Sequence, residues 1–422
     1  MRVLIVNTSE KTGGAAVAAH RLMDALNNHG VKAKMLVRDK LSDNLSVVGL
    51  PKSPLLRWHF LWERLVIFFH LRFSRKHLFE IDIANAGTDI TRLPEFREAD
   101  IIHLHWVNQG MLSLKDIQKI LHSGKPVVWT MHDIWPATAI CHYARGCNQY
   151  KSQCCNCPLL PGRSRYDLSA SVWKRKQRML DESSIVFVSC SRWLEGEAKQ
   201  SALLNGHKIT SVPNAIDMRV YHPLDKQTVR EALGLPPDKK VLLFVSQKVT
   251  DERKGMMYFV EAVRKLAADN PELSRQTVVA ILGGHAEDVA AKLALPVFPL
   301  DYVSDEQKIV SVYSSADVFV TPSLEDNLPN TIMEAMACGV PCVGFHVGGI
   351  PEEIDHKKNG YVANYRDAED LARGIRWVLE ADAEALGAQC QSKVARNYSQ
   401  SAVAMRYTEV YNQALAMKHY KL

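Results

Sequence analysis

The 422-residue sequence predicts an α/β protein made of two facing Rossmann-like, doubly wound domains. Three observations predict this fold class. Short apolar runs rich in β-branched residues alternate with segments of helical periodicity, which is the pattern of a parallel sheet with helices on both faces. That pattern stops at a charged stretch punctuated by prolines and then starts again. The length also exceeds one ordinary domain and suits two domains of about 200 residues each.

The first domain is predicted over residues 1–210. A helix over Ala15–Asn28 has apolar residues three or four positions apart, and Gly30 ends it. The predicted strands are apolar runs with both faces buried, at Arg2–Asn7, Ala33–Val37, Ile101–Leu104, Val127–Met131 and Ile185–Val188.

The second domain is predicted over residues 211–400, and a last helix within residues 401–422 is expected to cross back to the first domain. Because doubly wound sheets bind ligands beyond the carboxyl ends of their strands, we expect the ligand site in the cleft between the domains. The strands of this domain are predicted at Val241–Val245, Val278–Leu282, Val297–Pro299, Val318–Thr321 and Pro341–Phe345.

Composition limits the location and the kinds of partner. Hydrophobic residues make up 47% of the chain and charged residues 23%, as in a soluble globular protein. The sequence shows no secretory leader and no apolar run long enough to cross a bilayer, so we expect a cytoplasmic location. The net charge of +6 is mild. No nucleic-acid partner is expected.

The segment Thr321–Pro341 gives the strongest indication of chemistry. A strand is predicted to end at its first residue, a polar loop follows, and a helix begins at about Thr331 with Asn330 as its N-cap. Gly339 and the proline two positions later end that helix. A helix that starts at the carboxyl end of a strand presents free N–H groups and the positive end of its dipole, which favours a bound phosphate.

Two acidic residues in this segment are candidate sugar ligands. Glu334 is expected in the first turn of the helix, where its carboxylate could accept hydrogen bonds from two ribose hydroxyls. Asp326, eight positions earlier, could reach the transferred sugar. A capped helix with acids in its first turn is also stable without a ligand, and this alternative stays open.

This pair of acids, followed by Ala-Met-Ala-Cys-Gly-Val-Pro, resembles the hallmark of the retaining GT-B glycosyltransferases of family four, the glycosyl transferases group 1. The resemblance extends over most of the chain. It implies the two-domain GT-B fold and a retaining hexosyl transfer with Asp326 as a catalytic residue. It also implies a nucleotide-sugar donor bound by the second domain through Asn330, Thr331 and Glu334.

The resemblance further implies that the first domain binds the acceptor, a saccharide or lipid-linked saccharide used to build surface polysaccharide or glycolipid. It implies no cofactor or metal for catalysis, and the sequence shows no Asp-x-Asp motif to hold one. Two other interpretations stay open. One is a GT-B-fold epimerase or phosphorylase, and the other is a catalytically inactive partner that binds a sugar nucleotide.

Matches to the family also occur in the first domain. Gly13 and Gly14 follow the first strand and resemble the family's glycine loop, where the backbone approaches a diphosphate or the acceptor closely. His132 stands where the family has a histidine beside the reacting sugar, and His103 and His105 resemble its strand-end histidines. Each histidine could instead be hydrogen-bonded packing at a strand end.

In the second domain, Arg253-Lys254-Gly255 resembles the family's lysine-glycine at a helix start, where Lys254 neutralises the diphosphate. The sequence departs from the family in two places. Asp326 stands where the family has a glutamate, with Glu325 one residue out of register, so either carboxylate could meet the sugar. An arginine that usually precedes the lysine-glycine is missing, and Lys248 or Arg253 could supply its charge.

Five of the nine cysteines lie within residues 141–157, in an insertion after His132. A structural zinc site with four thiolate ligands could use Cys141, Cys147, Cys154 and Cys157, the last two spaced as in a zinc knuckle. In a reducing compartment metal is favoured over disulfides. Such a zinc ion would order one wall on the acceptor side. Unliganded cysteines are the alternative.

A second insertion, from Trp58 to Phe73, is apolar and aromatic with basic ends. It is predicted to form a helix, and its composition is typical of a monotopic helix that lies on anionic lipid. Such a helix would place the protein at the inner face of the cell membrane as a peripheral protein. Packing of the helix on its own domain, or in a dimer, is the alternative.

Overall fold

The computed structural model describes residues 1–181, 183–300, 303 and 305–419. These residues form two compact units, one made of Met1–Ala215 with the chain from Val403 onward and the other of Ile216–Ala402. Each unit is built on its own parallel sheet, so the predicted fold class is confirmed. Residues 420–422, the end of the predicted last helix, lie outside the described residues.

The first unit contains seven strands: β1 (Arg2–Ser9), β2 (Lys32–Asp39), β3 (Val47–Gly49), β4 (Ile101–Leu104), β5 (Val127–Met131), β6 (Ile185–Ser189) and β7 (Lys208–Ser211). They pair in the order β3-β2-β1-β4-β5-β6-β7, and every neighbouring pair is parallel. The helices that precede the second unit are α1 (Gly14–Asn28), α2 (Pro54–His70), α3 (Pro94–Glu98), α4 (Leu114–Leu121), α5 (Leu168–Asp181) and α6 (Arg192–Lys199).

The second unit contains six strands: β8 (Lys240–Lys248), β9 (Thr277–Gly284), β10 (Val297–Leu300), β11 (Val318–Thr321), β12 (Cys342–Phe345) and β13 (Gly360–Ala363). They pair in the order β10-β9-β8-β11-β12-β13, all parallel. The helices are α7 (Lys226–Ala232), α8 (Met256–Asp269), α9 (Pro271–Arg275), α10 (Glu287–Ala290), α11 (Glu306–Ser315), α12 (Asn330–Ala337), α13 (Ile350–Glu353), α14 (Ala368–Glu380) and α15 (Ala383–Asn397).

The last helix, α16 (Gln400–His419), belongs to the first unit from Val403 onward. Its buried residues Val403, Tyr407 and Tyr411 join the core formed by β1, β5 and β6. Burying two tyrosines and a valine against one sheet face explains why this helix is held there, since each large apolar side chain contributes about 1.5–3 kcal/mol. Among the described residues, no helix is both long and apolar enough to cross a membrane.

Three short edge strands, β3, β7 and β13, were not predicted. The prediction relied on runs that are apolar on both faces, which is the pattern of strands in the middle of a parallel sheet. Edge strands lack that pattern because one side has no neighbouring strand. In β7, for example, the residues of Lys208–Ser211 are exposed or half-buried.

Both sheets reverse their direction of winding at the first strand. β1 lies between β2 and β4, and β8 lies between β9 and β11. Doubly wound sheets bind ligands at this reversal, beyond the carboxyl ends of the strands. The residues that follow β1 and β4 in the first unit, and β8 and β11 in the second, are therefore the candidate ligand contacts.

Candidate active site

In the second unit, the turn after β8 places two cations beyond the carboxyl ends of the strands. The Asp251 side chain accepts a hydrogen bond from the Arg253 N–H at 3.0 Å, and Glu252–Lys254 form one turn of 3-10 helix. Gly255 then takes a left-handed conformation (φ 71°) that only glycine adopts readily, and α8 begins. The turn therefore fixes Arg253 and Lys254 directly before a helix that has no side-chain cap and no acid in its first turn.

The loop after β11 docks on this turn through backbone atoms. The Leu324 N–H donates to the Arg253 carbonyl at 2.7 Å. A Cβ added at Gly255 would lie 1.9 Å from the Pro322 carbonyl oxygen, so only glycine permits the contact. Likewise, a Cβ at Gly348 would lie 1.7 Å from the Asp326 carbonyl oxygen. Glycines at both positions hold three loops of the second unit together.

The docked loops bring Asp326 to the two cations. Lys254 Nζ donates to Asp326 Oδ2 at 2.6 Å, and Arg253 Nη1 lies 3.5 Å from the same oxygen. Burial by itself raises the pKa of Asp326, but Lys254 and Arg253 outweigh it and hold that pKa below its ordinary value. Arg253 also donates to the Glu325 carbonyl at 3.0 Å. The Asp326 carboxylate therefore meets both cations of the turn.

The helix α12 begins one residue earlier than predicted. It starts at Asn330, and its N-cap is Pro329, which has no side-chain capping bond. The prediction of Asn330 as N-cap is therefore wrong, because proline in the extended conformation already sets the helix entry. Thr331 lies in the first turn. Like α8, this helix has no acid in its first turn, so its positive end is left for an anion.

Glu334 is the fifth residue of α12, one position further from the helix start than expected and just beyond the first turn. It is buried, and its Oε2 accepts a 2.9 Å hydrogen bond from the Tyr313 hydroxyl of α11. This bond fixes one carboxylate oxygen. Tyr313 was not identified from the sequence because it sits in an apolar helical pattern that predicts only core packing.

Glu353, at the end of α13, is a second group that the sequence did not single out. Its side chain is fully buried, and neither carboxyl oxygen has a hydrogen-bond partner among the described residues. Burial, and next the charge of Asp326, raise its pKa well above the ordinary value. The fold therefore favours the protonated, neutral form of Glu353.

In the first unit, Gly13 and Gly14 form the start of α1 directly beyond β1. Gly13 is the N-cap with φ 90°, and there is open space where its Cβ would be. No side-chain cap and no first-turn acid occur at this helix start. The arrangement is receptive to an anion, as at α8 and α12.

His132 follows β5 and contacts two buried groups. Its Nε2 lies 2.9 Å from His105 Nδ1, and its Nδ1 lies 3.4 Å from the Cys190 sulfur. Burial lowers the pKa of His132 to about 4, so the ring is neutral at neutral pH. A neutral imidazole can donate or accept one hydrogen bond at each nitrogen, but it brings no positive charge to the site.

His103 has the packing role that the sequence left open. Its Nδ1 lies 2.8 Å from the Tyr411 hydroxyl and its Nε2 lies 2.7 Å from the Thr130 hydroxyl. The Thr130 hydroxyl is also 2.9 Å from that of Tyr407. These bonds tie β4 and β5 to α16, and burial lowers the pKa of His103 to about 3.

A buried ionic chain lies next to His132. Asp133 Oδ2 accepts from Trp106 Nε1 at 3.0 Å and from His142 Nδ1 at 2.7 Å. The other nitrogen of His142 lies 2.6 Å from Asp82 Oδ2, and Asp82 is paired with Arg64 of α2. Burial alone would lower the pKa of His142, but the two carboxylates raise it to about 10. The chain holds the segment after β5 to the cysteine-rich insertion.

The four cysteines predicted as zinc ligands all line one cavity of about 140 Å³. Burial raises the pKa of Cys141 to about 12 and that of Cys157 to about 11, so these groups are neutral thiols unless a metal displaces their protons. No three His, Cys, Asp or Glu side chains of the described residues are arranged to hold one metal ion. Cys141, Cys147, Cys154 and Cys157 are thus near one another without metal-ligand geometry, and the zinc site stays a prediction.

Two protein-family models match the chain over the regions that contain these residues. The family described as Glycosyltransferase Family 4 matches residues 12–220, and the family described as Glycosyl transferases group 1 matches residues 239–381. The chain belongs to the group 1, family 4 glycosyltransferases. Both candidate regions, after β1 and β5 and after β8 and β11, lie within the matched residues of this glycosyltransferase.

Curated relatives of the chain include a D-inositol 3-phosphate glycosyltransferase from Thermobispora bispora, 29% identical over 225 residues, which are 50% of this chain and 52% of the relative. An N-acetyl-alpha-D-glucosaminyl L-malate synthase from Bacillus anthracis is 25% identical over 56% of this chain and 61% of its own length. The chain therefore spans about half the length of the curated relatives it matches.

Solved structures resemble this glycosyltransferase over almost its whole length. Sucrose-phosphate synthase from Thermosynechococcus elongatus has a TM-score of 0.66 at 18% identity and covers 99% of this chain and 100% of its own. HepE from Anabaena, solved in complex with UDP-glucose, has a TM-score of 0.63 at 16% identity and covers 98% and 100%. These likenesses show the GT-B fold.

Proposed function

We propose that this protein is a retaining glycosyltransferase. It moves a hexose from a nucleotide-sugar to a saccharide or lipid-linked saccharide during synthesis of surface polysaccharide or glycolipid. The observation that carries the proposal is the grouping of Arg253 and Lys254 with Asp326, four residues before the uncapped start of α12. Cations, a helix N-terminus and a carboxylate are the groups that recognition of a diphosphate-sugar requires.

The chemistry explains why the cations are placed there. Cleavage of the bond between the anomeric carbon and the diphosphate oxygen leaves negative charge on the diphosphate. Lys254, Arg253 and the N–H groups at the start of α12 would stabilise that charge. A diphosphate would compete with Asp326 for Lys254, and the freed carboxylate could then accept hydrogen bonds from sugar hydroxyls.

Two further groups have assigned roles in this proposal. The Glu334 carboxylate accepts hydrogen bonds from ribose hydroxyls, and the hydrogen bond from the Tyr313 hydroxyl positions it. His132, kept neutral by burial, gives up its contact with His105 or Cys190 to hydrogen-bond the donor sugar, or it stabilises the positive charge that develops at the anomeric carbon of that sugar. Neither His132 nor Asp326 is proposed as a covalent nucleophile.

The known proteins suggest which substrates to test first. HepE has the same fold and is solved with UDP-glucose, which supports UDP-glucose as the first donor. The relatives named for D-inositol 3-phosphate and for malate support small anionic acceptors beside saccharides and lipid-linked saccharides.

A thermal-shift screen with UDP-, GDP- and ADP-sugars, followed by transfer and hydrolysis assays, tests the proposal. We expect one nucleotide class to raise the melting temperature, and Glu334→Ala and Lys254→Ala to abolish most of that rise. Glu380→Gln, an exposed acid on α14 of the same unit, is the matched control and should behave as wild type.

The anomeric configuration of the product, measured by NMR, tests retention. A product with the configuration of the donor supports the proposal, and an inverted product contradicts it. Binding of the nucleotide-sugar without transfer or hydrolysis would indicate instead the catalytically inactive sugar-nucleotide-binding partner.

A further inference from the structure

The helix α2 presents an apolar stripe to solvent. Its residues at positions 55, 58, 62, 65 and 69 are three or four positions apart, so they lie on one face of the helix. Trp58 is 62% exposed and Trp62 is 53% exposed, and Phe73, just beyond the helix, is 65% exposed. The other large apolar residues of this exposed surface are Leu55, Leu61, Leu65 and Phe69. A contiguous exposed apolar face of this kind marks an interaction surface.

The opposite face of α2 is fixed to the first unit by polar residues. The Glu63 carboxylate accepts from the N–H groups of Ile83 at 2.8 Å and Ala84 at 2.7 Å. Arg64 donates to the Leu78 carbonyl at 2.6 Å and pairs with the buried Asp82. Rotation of the helix to bury its apolar stripe would break these buried contacts, so the stripe is held outward.

The exposed stripe is accompanied by positive charge alone. Within residues 54–76 the single acid is Glu63, which is buried. Arg64 is buried against Asp82, and the other four Lys and Arg residues of the segment are exposed: Arg57, Arg72, Arg75 and Lys76. The surface that α2 and the following turn offer to a partner is therefore apolar and cationic.

We propose that this surface, formed by Leu55–Lys76, docks on an anionic lipid bilayer. Tryptophan rings occupy the boundary between headgroups and acyl chains, apolar side chains enter beneath it, and flanking cations attract anionic headgroups. A second copy of this chain fits the surface less well, because its four cations would be placed against the same four. α2 lies along the bilayer surface, since it is too short and too polar to cross.

The proposal that this surface docks on a bilayer does not depend on the proposed sugar transfer. If the acceptor is lipid-linked, docking brings the enzyme to its acceptor, and this consequence alone rests on the proposed function. A protein that binds vesicles but transfers no sugar would contradict the proposed function and leave the docking intact.

Vesicle flotation with the full chain tests the docking. We expect the wild-type protein to float with vesicles that contain phosphatidylglycerol, to float less at high salt, and to stay behind with vesicles of phosphatidylcholine alone. Trp58→Glu/Trp62→Glu and Arg75→Glu/Lys76→Glu should each reduce binding about tenfold or more. Met405→Glu is the control, because Met405 is also apolar and 64% exposed but lies on α16.

Circular dichroism melting curves would show that the variants fold. Failure of the wild-type protein to float with anionic vesicles overturns the proposal, as does equal binding by the wild-type protein and both double variants. A dimer seen by light scattering that Trp58→Glu/Trp62→Glu dissociates, without vesicle binding, also overturns it and assigns the surface to a second copy.

Discussion

Lys254 Nζ lies 2.6 Å from Asp326 Oδ2, which joins the turn after β8 to the loop after β11. The two residues are 72 positions apart in the sequence and meet because β8 and β11 are neighbours in the sheet. One contact thus links the cation assigned to the diphosphate with the carboxylate assigned to the sugar. Binding of a donor and stability of the site are expected to be coupled through this pair.

A double-mutant cycle on Lys254→Met and Asp326→Asn measures that coupling. Lys254→Met leaves Asp326 mostly buried with Arg253 at 3.5 Å, so we expect a loss of about 1–3 kcal/mol in the free energy of unfolding. The double variant should lose less than the sum of the single variants. Strictly additive losses in denaturant unfolding would contradict the coupling.

The pH dependence of the same variants has a defined sign. Because the folded-state pKa of Asp326 is lowered, its contribution to stability is present above the unfolded-state pKa of about 4 and is lost as the pH falls through the folded-state value. Wild-type protein should therefore lose more stability than Asp326→Asn on acidification. A constant difference between the two proteins across this range would show that the fold does not lower the pKa of Asp326.

Substitutions at Glu334 and Tyr313 should have different effects on nucleotide affinity and on stability. Glu334→Gln removes the charge that strengthens hydrogen bonds from ribose hydroxyls, so we expect UDP affinity, measured by calorimetry, to fall about tenfold or more. Tyr313→Phe removes only the 2.9 Å bond to Glu334 and should cost about 1 kcal/mol of stability with a smaller loss of affinity. Unchanged affinity in Glu334→Gln would reject Glu334 as a ribose ligand.

The sequence predicted the parts of the fold and site that depend on local pattern. Central strands such as Val127–Met131 are apolar on both faces, and Lys254 and Asp326 lie in recognisable motifs. Contacts between distant segments were not predictable, because a motif does not state which side chains meet in space. The exposed stripe of α2 could be suggested from composition, but its outward orientation depends on the buried bonds of Glu63 and Arg64.

The buried acid Glu353 should cost stability. The fold raises its pKa well above the ordinary value of about 4.5, so the folded state favours the protonated acid and loses relative stability as the pH rises through about 4.5. Glu353→Met should therefore raise the free energy of unfolding at about pH 7 by about 1–2 kcal/mol, and by less at about pH 4. The neighbouring Glu352→Gln is the control. A stability gain with a loss of transfer activity would show that Glu353 is kept for function.

Metal analysis of the purified protein tests the zinc hypothesis. Four thiolates would bind about one zinc per chain, and Cys154→Ser/Cys157→Ser should remove it and lower the melting temperature. Cys390→Ser is the control, because Cys390 is buried in the second unit. Protein purified without chelators that contains no zinc would reject the hypothesis and leave the cavity as a cluster of neutral thiols.

His142, held between Asp82 and Asp133, should make stability depend on alkaline pH. Its folded-state pKa is raised to about 10, so its contribution is complete below the unfolded-state value of about 6.5 and is lost as the pH rises through about 10. His142→Gln should be less stable than wild type by about 3 kcal/mol at about pH 6, because it leaves two buried carboxylates without their shared cation. The gap should close towards about pH 10 in urea unfolding. If the gap stayed constant over this range, the fold would not raise the pKa of His142.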